Sequence, residues 1–277
     1  MQAMNSVPRN SREPMLDPSV DAVLRVFLQS VDRLRPGLVE GLYLTGSIAL
    51  GDFRQGRSDI DFVAVTAQRP QAADLSALQQ AHTETKERHP RPYFDGTHVT
   101  WDDLAADFAF CPRVPYVQEG SFHAAGDFEI NPVTWSVLAK NAVAVRGPAS
   151  GAFPVSVDQA VLTDWARGNL DDYWRRWHAA HGKPLSLMGV AALGGWAPGW
   201  GVLGVSRLHY TVRTGEITSK AGAGAYALKT FGDTWEPIIE EALRVHRGES
   251  GSRFRTPFKR RRATLDFVSM VIDDVTR

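Results

Sequence analysis

Two aspartates one residue apart, Asp59 and Asp61, begin an apolar run within LYLTGSIALGDFRQGRSDIDFVAVT, residues 42–66. On a β-strand, residues i and i+2 point to the same face, so these two carboxylates lie side by side and repel each other. A divalent cation offsets that repulsion, and Mg²⁺ binds one or two carboxylates together with substrate phosphates. The pair therefore predicts a Mg²⁺ site that works with a phosphate-bearing substrate.

The dipeptide Gly46-Ser47 ends the apolar run that precedes the two aspartates. A glycine turn lets backbone N–H groups approach phosphate oxygens, and a serine hydroxyl adds a further donor. Each of these residues alone is common in solvated turns, but their combination between two strands favours a binding site. We expect Gly46 and Ser47, together with Ser58 directly before Asp59, to bind the nucleotide.

The surrounding pattern predicts the elements that must position these residues. Helix, strand, strand, helix and strand follow one another at 18–34, 38–45, 60–66, 69–90 and 93–100. Residues 101–130 read as irregular, and residues 132–145 as a helix followed by a strand. After the turn-rich stretch 146–156 the pattern is helical only, with helices near 157–180, 200–214, 220–230, 233–247 and 258–276.

This order predicts an α+β protein with a flexible tail at residues 1–17. A domain with a mixed β-sheet flanked by helices follows at residues 18–150, and an all-helical bundle domain at residues 151–277. The uncharged stretch 185–205 contains several glycines and a proline, which favours a buried loop and helix start over a membrane span.

Composition limits the classes of partner and the compartment. Lys plus Arg and Asp plus Glu both number 31, so the net charge of zero gives no support to a nucleic-acid or membrane partner. The single cysteine, Cys111, excludes an intramolecular disulfide and fits a reducing cytosol. We expect a cytoplasmic monomer that acts on small molecules.

The stretch TGSIALGDFRQGRSDIDFVAV resembles the signature of the DNA polymerase β-like nucleotidyltransferase superfamily. Four further stretches, FDGTHVTWDDL, VAVRGP, VLGVSRLHYTVRTGEITSK and EPIIEEALRVHRG, resemble the streptomycin/spectinomycin adenylyltransferases in order and spacing. The resemblance spans roughly residues 25–275. It implies a two-domain enzyme that uses Mg²⁺ to transfer AMP from ATP to an antibiotic hydroxyl, with release of pyrophosphate.

The resemblance also implies roles for individual residues. Ser47 is expected to bind the triphosphate, and Asp59 and Asp61 to bind metal. Asp95, on the third strand, is implied to be a metal ligand and the general base, although the family usually carries Glu there. Lys220 and Arg207 are implied to contact the nucleotide. His98, on the other face of the same strand, is the alternative base.

The acceptor is less well defined. A cationic aminoglycoside requires carboxylates and flat aromatic surface. The corresponding segments offer only weak candidates, namely Glu119, Phe122, His123, Trp196 and Trp200. The segment GGWAPGWGVLGVSR contains no acid, where the resembled family has at least one. An aminoglycoside or aminocyclitol is the default acceptor. The alternatives are another small-molecule, protein or RNA hydroxyl, or a non-catalytic relative that only binds nucleotide or antibiotic.

Overall fold

The structure is a computed structural model that describes residues 16–276. The predicted tail therefore lies almost entirely outside the described residues. The N-terminal half contains, in chain order, α1 (Pro18–Leu34), β1 (Gly41–Leu44), α2 (Gly46–Ala49), β2 (Ile60–Thr66), α3 (Ala72–Arg88), β3 (Phe94–Thr100), α4 (Trp101–Ala105), β4 (Val114–Gln118), β5 (Ser121–Gly126), α5 (Pro132–Lys140) and β6 (Val143–Arg146). The C-terminal half contains α6 (Gln159–Asn169), α7 (Arg175–Gly182), α8 (Leu187–Ala191), α9 (Trp196–Thr214), α10 (Lys220–Phe231), α11 (Glu236–Arg247) and α12 (Pro257–Thr276).

The α+β class is confirmed by a six-stranded sheet in the order β5-β4-β3-β2-β1-β6. Strands β2 and β3 are parallel, and the other neighbours are antiparallel. In the parallel pair Asp61 lies opposite Asp95, so two of the predicted site residues are neighbours across the ladder. The mixed sheet thus brings together carboxylates that are far apart in the chain.

Each face of the sheet carries its own apolar core. On one face Tyr43, Val63 and Val65 pack with Trp135 and Leu138 of α5. On the other face the core is built under α1 and α3, and it includes Phe27, Leu42, Phe62, Ala64 and Leu78. Because side chains alternate along a strand, Asp61 and Asp95 point to the face that α5 covers.

The prediction that residues 101–130 are irregular was wrong. This segment contains α4 and the antiparallel hairpin of β4 and β5. The hairpin turn is Glu119-Gly120, with φ of 51° and 65°. Two positive φ angles are typical of a type I′ turn, which usually carries Asn-Gly or Asp-Gly, so Glu-Gly gave a weak signal.

The C-terminal half is all helical, as predicted, and its core is formed by apolar residues from the long helices and from the segment before α7. The helix predicted near 157–180 is divided by a π-helical turn at Leu170–Trp174, and α8 was not predicted. Among residues 16–276, no helix is long and apolar enough to cross a membrane. The domain boundary after residue 150 falls between β6 and α6 and stays a prediction.

A buried histidine pair occupies the core under α1 and α3. The Nε2 atoms of His82 and His98 lie 3.0 Å apart, and both rings are in contact with Phe27 and Phe62. Burial lowers the pKa of His98 to about 3 and holds the pKa of His82 well below its usual value. Both imidazoles are therefore neutral in the folded protein near pH 7.

This pair predicts a loss of stability in mild acid. Below pH 6.5 the two histidines bind protons in the unfolded chain but not in the folded protein. Folding stability therefore falls as the pH drops from 6.5 towards 3. The slope is about 1.4 kcal/mol per pH unit for each histidine. Urea unfolding at pH 7 and pH 5 should show wild type losing about 2 to 4 kcal/mol more than the His82→Leu/His98→Leu double variant. Equal losses in the two proteins would contradict the prediction.

Candidate active site

The Gly46-Ser47 turn lies directly against Asp61. Gly46 has a φ of 51°, and a Cβ atom built on it would lie 1.9 Å from Asp61 Oδ2. The Thr45 N–H donates to the Asp61 carbonyl at 2.9 Å, which fixes the turn beside β2. Only glycine provides both the left-handed conformation and the space for the carboxylate.

The Ser47 hydroxyl lies next to this contact. Its Oγ is buried and has no hydrogen-bond partner among the described residues. Buried polar atoms are normally paired, so an unpaired hydroxyl here indicates a place where a ligand supplies the partner. Ser58, by contrast, is engaged within its own loop, because its Oγ accepts the Arg54 N–H at 3.0 Å.

Asp61 is the electrostatic centre of the site. Burial, and then the negative charges of Glu129, Asp59 and Asp95, raise the pKa of Asp61 to about 7, while the charge of Lys220 acts in the opposite direction. Several carboxylates therefore face one another with too little positive charge between them. Such a cluster is unfavourable unless a cation or a cationic side chain offsets it.

Asp59 stands at the solvent edge of the cluster. Its side chain is 46% exposed, and Oδ1 accepts the Tyr93 N–H at 3.3 Å and lies 3.8 Å from Arg91. Across residues 16–276, no three His, Cys, Asp or Glu side chains are arranged to hold a metal ion by themselves. The all-oxygen pair of Asp59 and Asp61 nevertheless suits Mg²⁺, which takes its remaining ligands from water and phosphates.

Asp95 is held by the β4–β5 turn. Its Oδ2 accepts the Glu119 N–H at 2.7 Å, and its Oδ1 accepts the Gly120 N–H at 2.9 Å. Burial raises the pKa of Asp95, although these two hydrogen bonds lower it in part. Both carboxylate oxygens thus stabilise the hairpin. The alternative base, His98, lies fully buried on the opposite face of the sheet and does not reach this cluster.

Two cations enter the site from the C-terminal half. Lys220 is the first residue of α10, which Ser219 caps. Burial and the charge of Arg207 lower the pKa of Lys220, while Asp61, Asp52 and Asp59 act to raise it. Desolvation lowers the pKa of Arg207, while the charges of Asp61 and Glu129 act to raise it. Both predicted nucleotide contacts therefore face the acidic cluster.

Asp52, which the sequence analysis did not identify, joins the two halves of the chain. Its Oδ2 accepts the Ala221 N–H at 3.0 Å and lies 2.9 Å from His246 Nε2, and its Oδ1 is 3.2 Å from Arg54. Burial raises the pKa of Asp52, but the hydrogen bonds and neighbouring positive charges outweigh it and lower the pKa. The Asp52 N–H donates to the Ser47 carbonyl at 2.8 Å, so the start of α10 is tied to the Gly46-Ser47 turn.

The predicted acceptor residues in the hairpin lie on different faces. Phe122 packs on the core under α1 and α3, beside His82, and its role as an acceptor residue stays a prediction. His123 is exposed and stacks on Tyr116, with the ring centroids 4.5 Å apart. Tyr116 pairs with Thr97, two residues after Asp95 on the same face of β3. The contacts of Glu119 use its backbone.

The two predicted tryptophans also differ in position. Trp200 is 46% exposed, and its ring centroid lies 5.7 Å from Lys220 Nζ. Trp196 donates from Nε1 to the Ala191 carbonyl at 3.0 Å and packs against Trp177 and His181. Trp200 therefore lines the site beside Lys220, whereas Trp196 belongs to a neighbouring aromatic cluster.

Comparison with known proteins agrees with this architecture. The nucleotidyltransferase domain family matches residues 24–97, and the aminoglycoside adenylyltransferase C-terminal domain family matches residues 191–270. A sequence search of curated proteins finds no match.

Among solved structures, the fold is similar to spectinomycin adenyltransferase AAD(9) from Enterococcus faecialis, crystallised with ATP and spectinomycin. The TM-score is 0.63 at 13% sequence identity, and the match covers 93% of this chain and 99% of that one. At this identity the likeness shows a shared fold, while the two family matches fall one in each half of the chain. The chain belongs to the aminoglycoside adenylyltransferase family and is a nucleotidyltransferase.

Proposed function

We propose that this enzyme transfers AMP from ATP to a hydroxyl group of an aminoglycoside or aminocyclitol antibiotic, with Mg²⁺ as cofactor. The observation that carries the proposal is the unpaired, buried Ser47 hydroxyl at a glycine turn that lies against Asp61. Lys220 and Arg207 interact electrostatically with the same carboxylate from the other half of the chain. AAD(9), whose fold is similar, was crystallised with ATP and spectinomycin, which supports both classes of substrate.

Catalysis of nucleotidyl transfer consists mostly of positioning the substrates and stabilising charge. Different residues of the site contribute to each. The Ser47 hydroxyl and the neighbouring backbone N–H groups bind phosphate oxygens. Lys220 and Arg207 stabilise the negative charge that develops on the phosphates as pyrophosphate leaves. Mg²⁺, held by Asp59 and Asp61, supplies Lewis-acid activation of the α-phosphate when it is bound.

A second candidate keeps this chemistry and changes the acceptor to a hydroxyl compound without amino groups. Trp200 is half exposed beside Lys220, and residues 194–206 contain no acid that would bind an ammonium group. An aromatic face next to a cation suits a flat or apolar acceptor.

Pyrophosphate release from Mg-ATP tests both candidates. The panel contains spectinomycin, streptomycin, other aminoglycosides and neutral polyols, with Asp59→Ala as the inactive control and Asp102→Ala as a matched exposed acid outside the site. We expect release with an aminoglycoside or aminocyclitol, a loss of at least about 1,000-fold in Asp59→Ala and unchanged release in Asp102→Ala. Release only with neutral compounds would favour the second candidate, and no release with any compound would contradict both.

A further inference from the structure

A fourth carboxylate of the site, Glu129, lies outside the sheet. Glu129 follows β5 and precedes α5, and its neighbour Ile130 and α5 pack on the face of the sheet that carries Asp61 and Asp95. Its charge is the strongest of those that raise the pKa of Asp61, ahead of Asp59 and Asp95, and it also acts on Arg207. Glu129 therefore belongs to the acidic cluster, although no sequence pattern singled it out.

Glu129 is fixed by its backbone conformation, by a side-chain hydrogen bond and by the packing of its neighbour Phe128. Its φ is 60°, a left-handed conformation that costs a non-glycine residue about 1 kcal/mol or more. Its Oε2 accepts a hydrogen bond from the buried Thr134 hydroxyl at 2.8 Å, and Phe128 stacks on Tyr116 with ring centroids 5.6 Å apart. Among the described residues, Glu129 Oε1 has no hydrogen-bond partner. Strain at a fixed carboxylate with one free oxygen favours a functional role over a packing role.

Asp95 differs from Glu129 in the number of its carboxylate oxygens that already accept a hydrogen bond. Both Asp95 oxygens accept backbone N–H groups of the hairpin turn, and its side chain is one carbon shorter than that of a glutamate. A general base needs a free oxygen within hydrogen-bond reach of the proton that it takes. The two backbone N–H bonds stabilise the charged carboxylate of Asp95 and so weaken it as a base, whereas Glu129 Oε1 accepts no such bond.

We propose that Glu129 is the general base of the transfer, a role that rests on the function proposed above. The acceptor O–H proton passes to Glu129 Oε1 as the acceptor oxygen forms its bond to the α-phosphorus of ATP. The bond from the α-phosphorus to the bridging oxygen breaks, and its electron pair leaves with pyrophosphate. Thr134 keeps the carboxylate turned towards the acceptor through its bond to Oε2.

The test is steady-state kinetics of Glu129→Gln with Mg-ATP and the acceptor found in the pyrophosphate assay. We expect kcat to fall by at least about 100-fold while both KM values stay within about threefold of wild type. Glu129→Gly removes the base and relieves the left-handed strain, so this variant should fold, and added formate should restore part of its activity. Asp127→Asn, an exposed acid two residues away, is the matched control and should retain full activity.

Three results would overturn the assignment of Glu129. The first is a kcat of Glu129→Gln within about fivefold of wild type. The second is a rise in the acceptor KM with kcat unchanged, which would make Glu129 a ligand for an ammonium group of the acceptor. The third is a large loss of kcat in Asp95→Asn that is not accompanied by a comparable loss in Glu129→Gln. Absence of activity in wild type with every acceptor would instead overturn the proposed function, and the base assignment with it.

Discussion

Replacing Asp61 by asparagine is expected to abolish transfer and, at the same time, to stabilise the fold at pH 8. The folded protein raises the pKa of Asp61 from 3.8 to about 7. Between these values the folded state keeps a proton that the unfolded chain has lost, so stability falls as the pH rises through this window. Above pH 7 the cost reaches up to about 4 kcal/mol, and the neutral Asn side chain removes it.

Urea unfolding without Mg²⁺ or nucleotide, at pH 5 and pH 8, measures this effect, and pyrophosphate release measures the loss of activity. Asp59→Asn is the matched variant, because its side chain is 46% exposed and already partly solvated. We expect Asp59→Asn to lose activity without a comparable gain in stability. An Asp61→Asn protein that is less stable than wild type at pH 8 would contradict the prediction.

Gly46→Ala is expected to lower activity by at least about 1,000-fold, because the new methyl group would occupy the space of Asp61 Oδ2. The alanine would also have to adopt a φ of 51°, at a cost of about 1 to 2 kcal/mol. Kinetics of pyrophosphate release and thermal unfolding of the same preparation separate the two effects.

Gly37→Ala is the control for backbone strain. Gly37 has a φ of 77°, and no atom lies within 4 Å of the position that a methyl group would take there. It belongs to the loop after α1, away from the acidic cluster. We expect a similar loss of stability from the left-handed conformation and no loss of activity. Equal activity in Gly46→Ala and Gly37→Ala would show that the contact between Gly46 and Asp61 is not required for transfer.

Local patterns were sufficient to predict much of this architecture. The predicted strand at 60–66 agrees with β2, and the Asp17-Pro18 signal agrees with the start of α1, where Asp17 caps the helix. The Gly46-Ser47 dipeptide and the Asp59/Asp61 pair could be recognised because the residues of each pattern are adjacent or one residue apart in the sequence. The amphipathic C-terminal helices were likewise predicted from the spacing of apolar residues within each helix.

The parts that were missed depend on contacts between distant segments. The two hydrogen bonds of Asp95 are made to a turn about two dozen residues later, and no local signal links them. Asp52 meets Ala221 and His246 only after the two halves of the chain have packed together. Glu129 joins the acidic cluster because α5 packs on the face of the sheet that carries Asp61, and sheet topology decides which face that is.

The Asp52 contacts have a consequence for how such an enzyme diversifies. Lys220 lies in the C-terminal half and the acidic cluster in the N-terminal half, and Asp52 ties the start of α10 to the cluster, so neither half alone would form the nucleotide site proposed above. Recombination that exchanges the helical half would have to preserve this junction, namely the contacts of Asp52 with Ala221 and His246. The β4–β5 hairpin lies at the edge of the sheet, and outside the Glu119-Gly120 turn that binds Asp95 it is less restricted. New acceptor specificities are thus expected to evolve by changes in the hairpin and in the surface around Trp200, with the junction inherited intact.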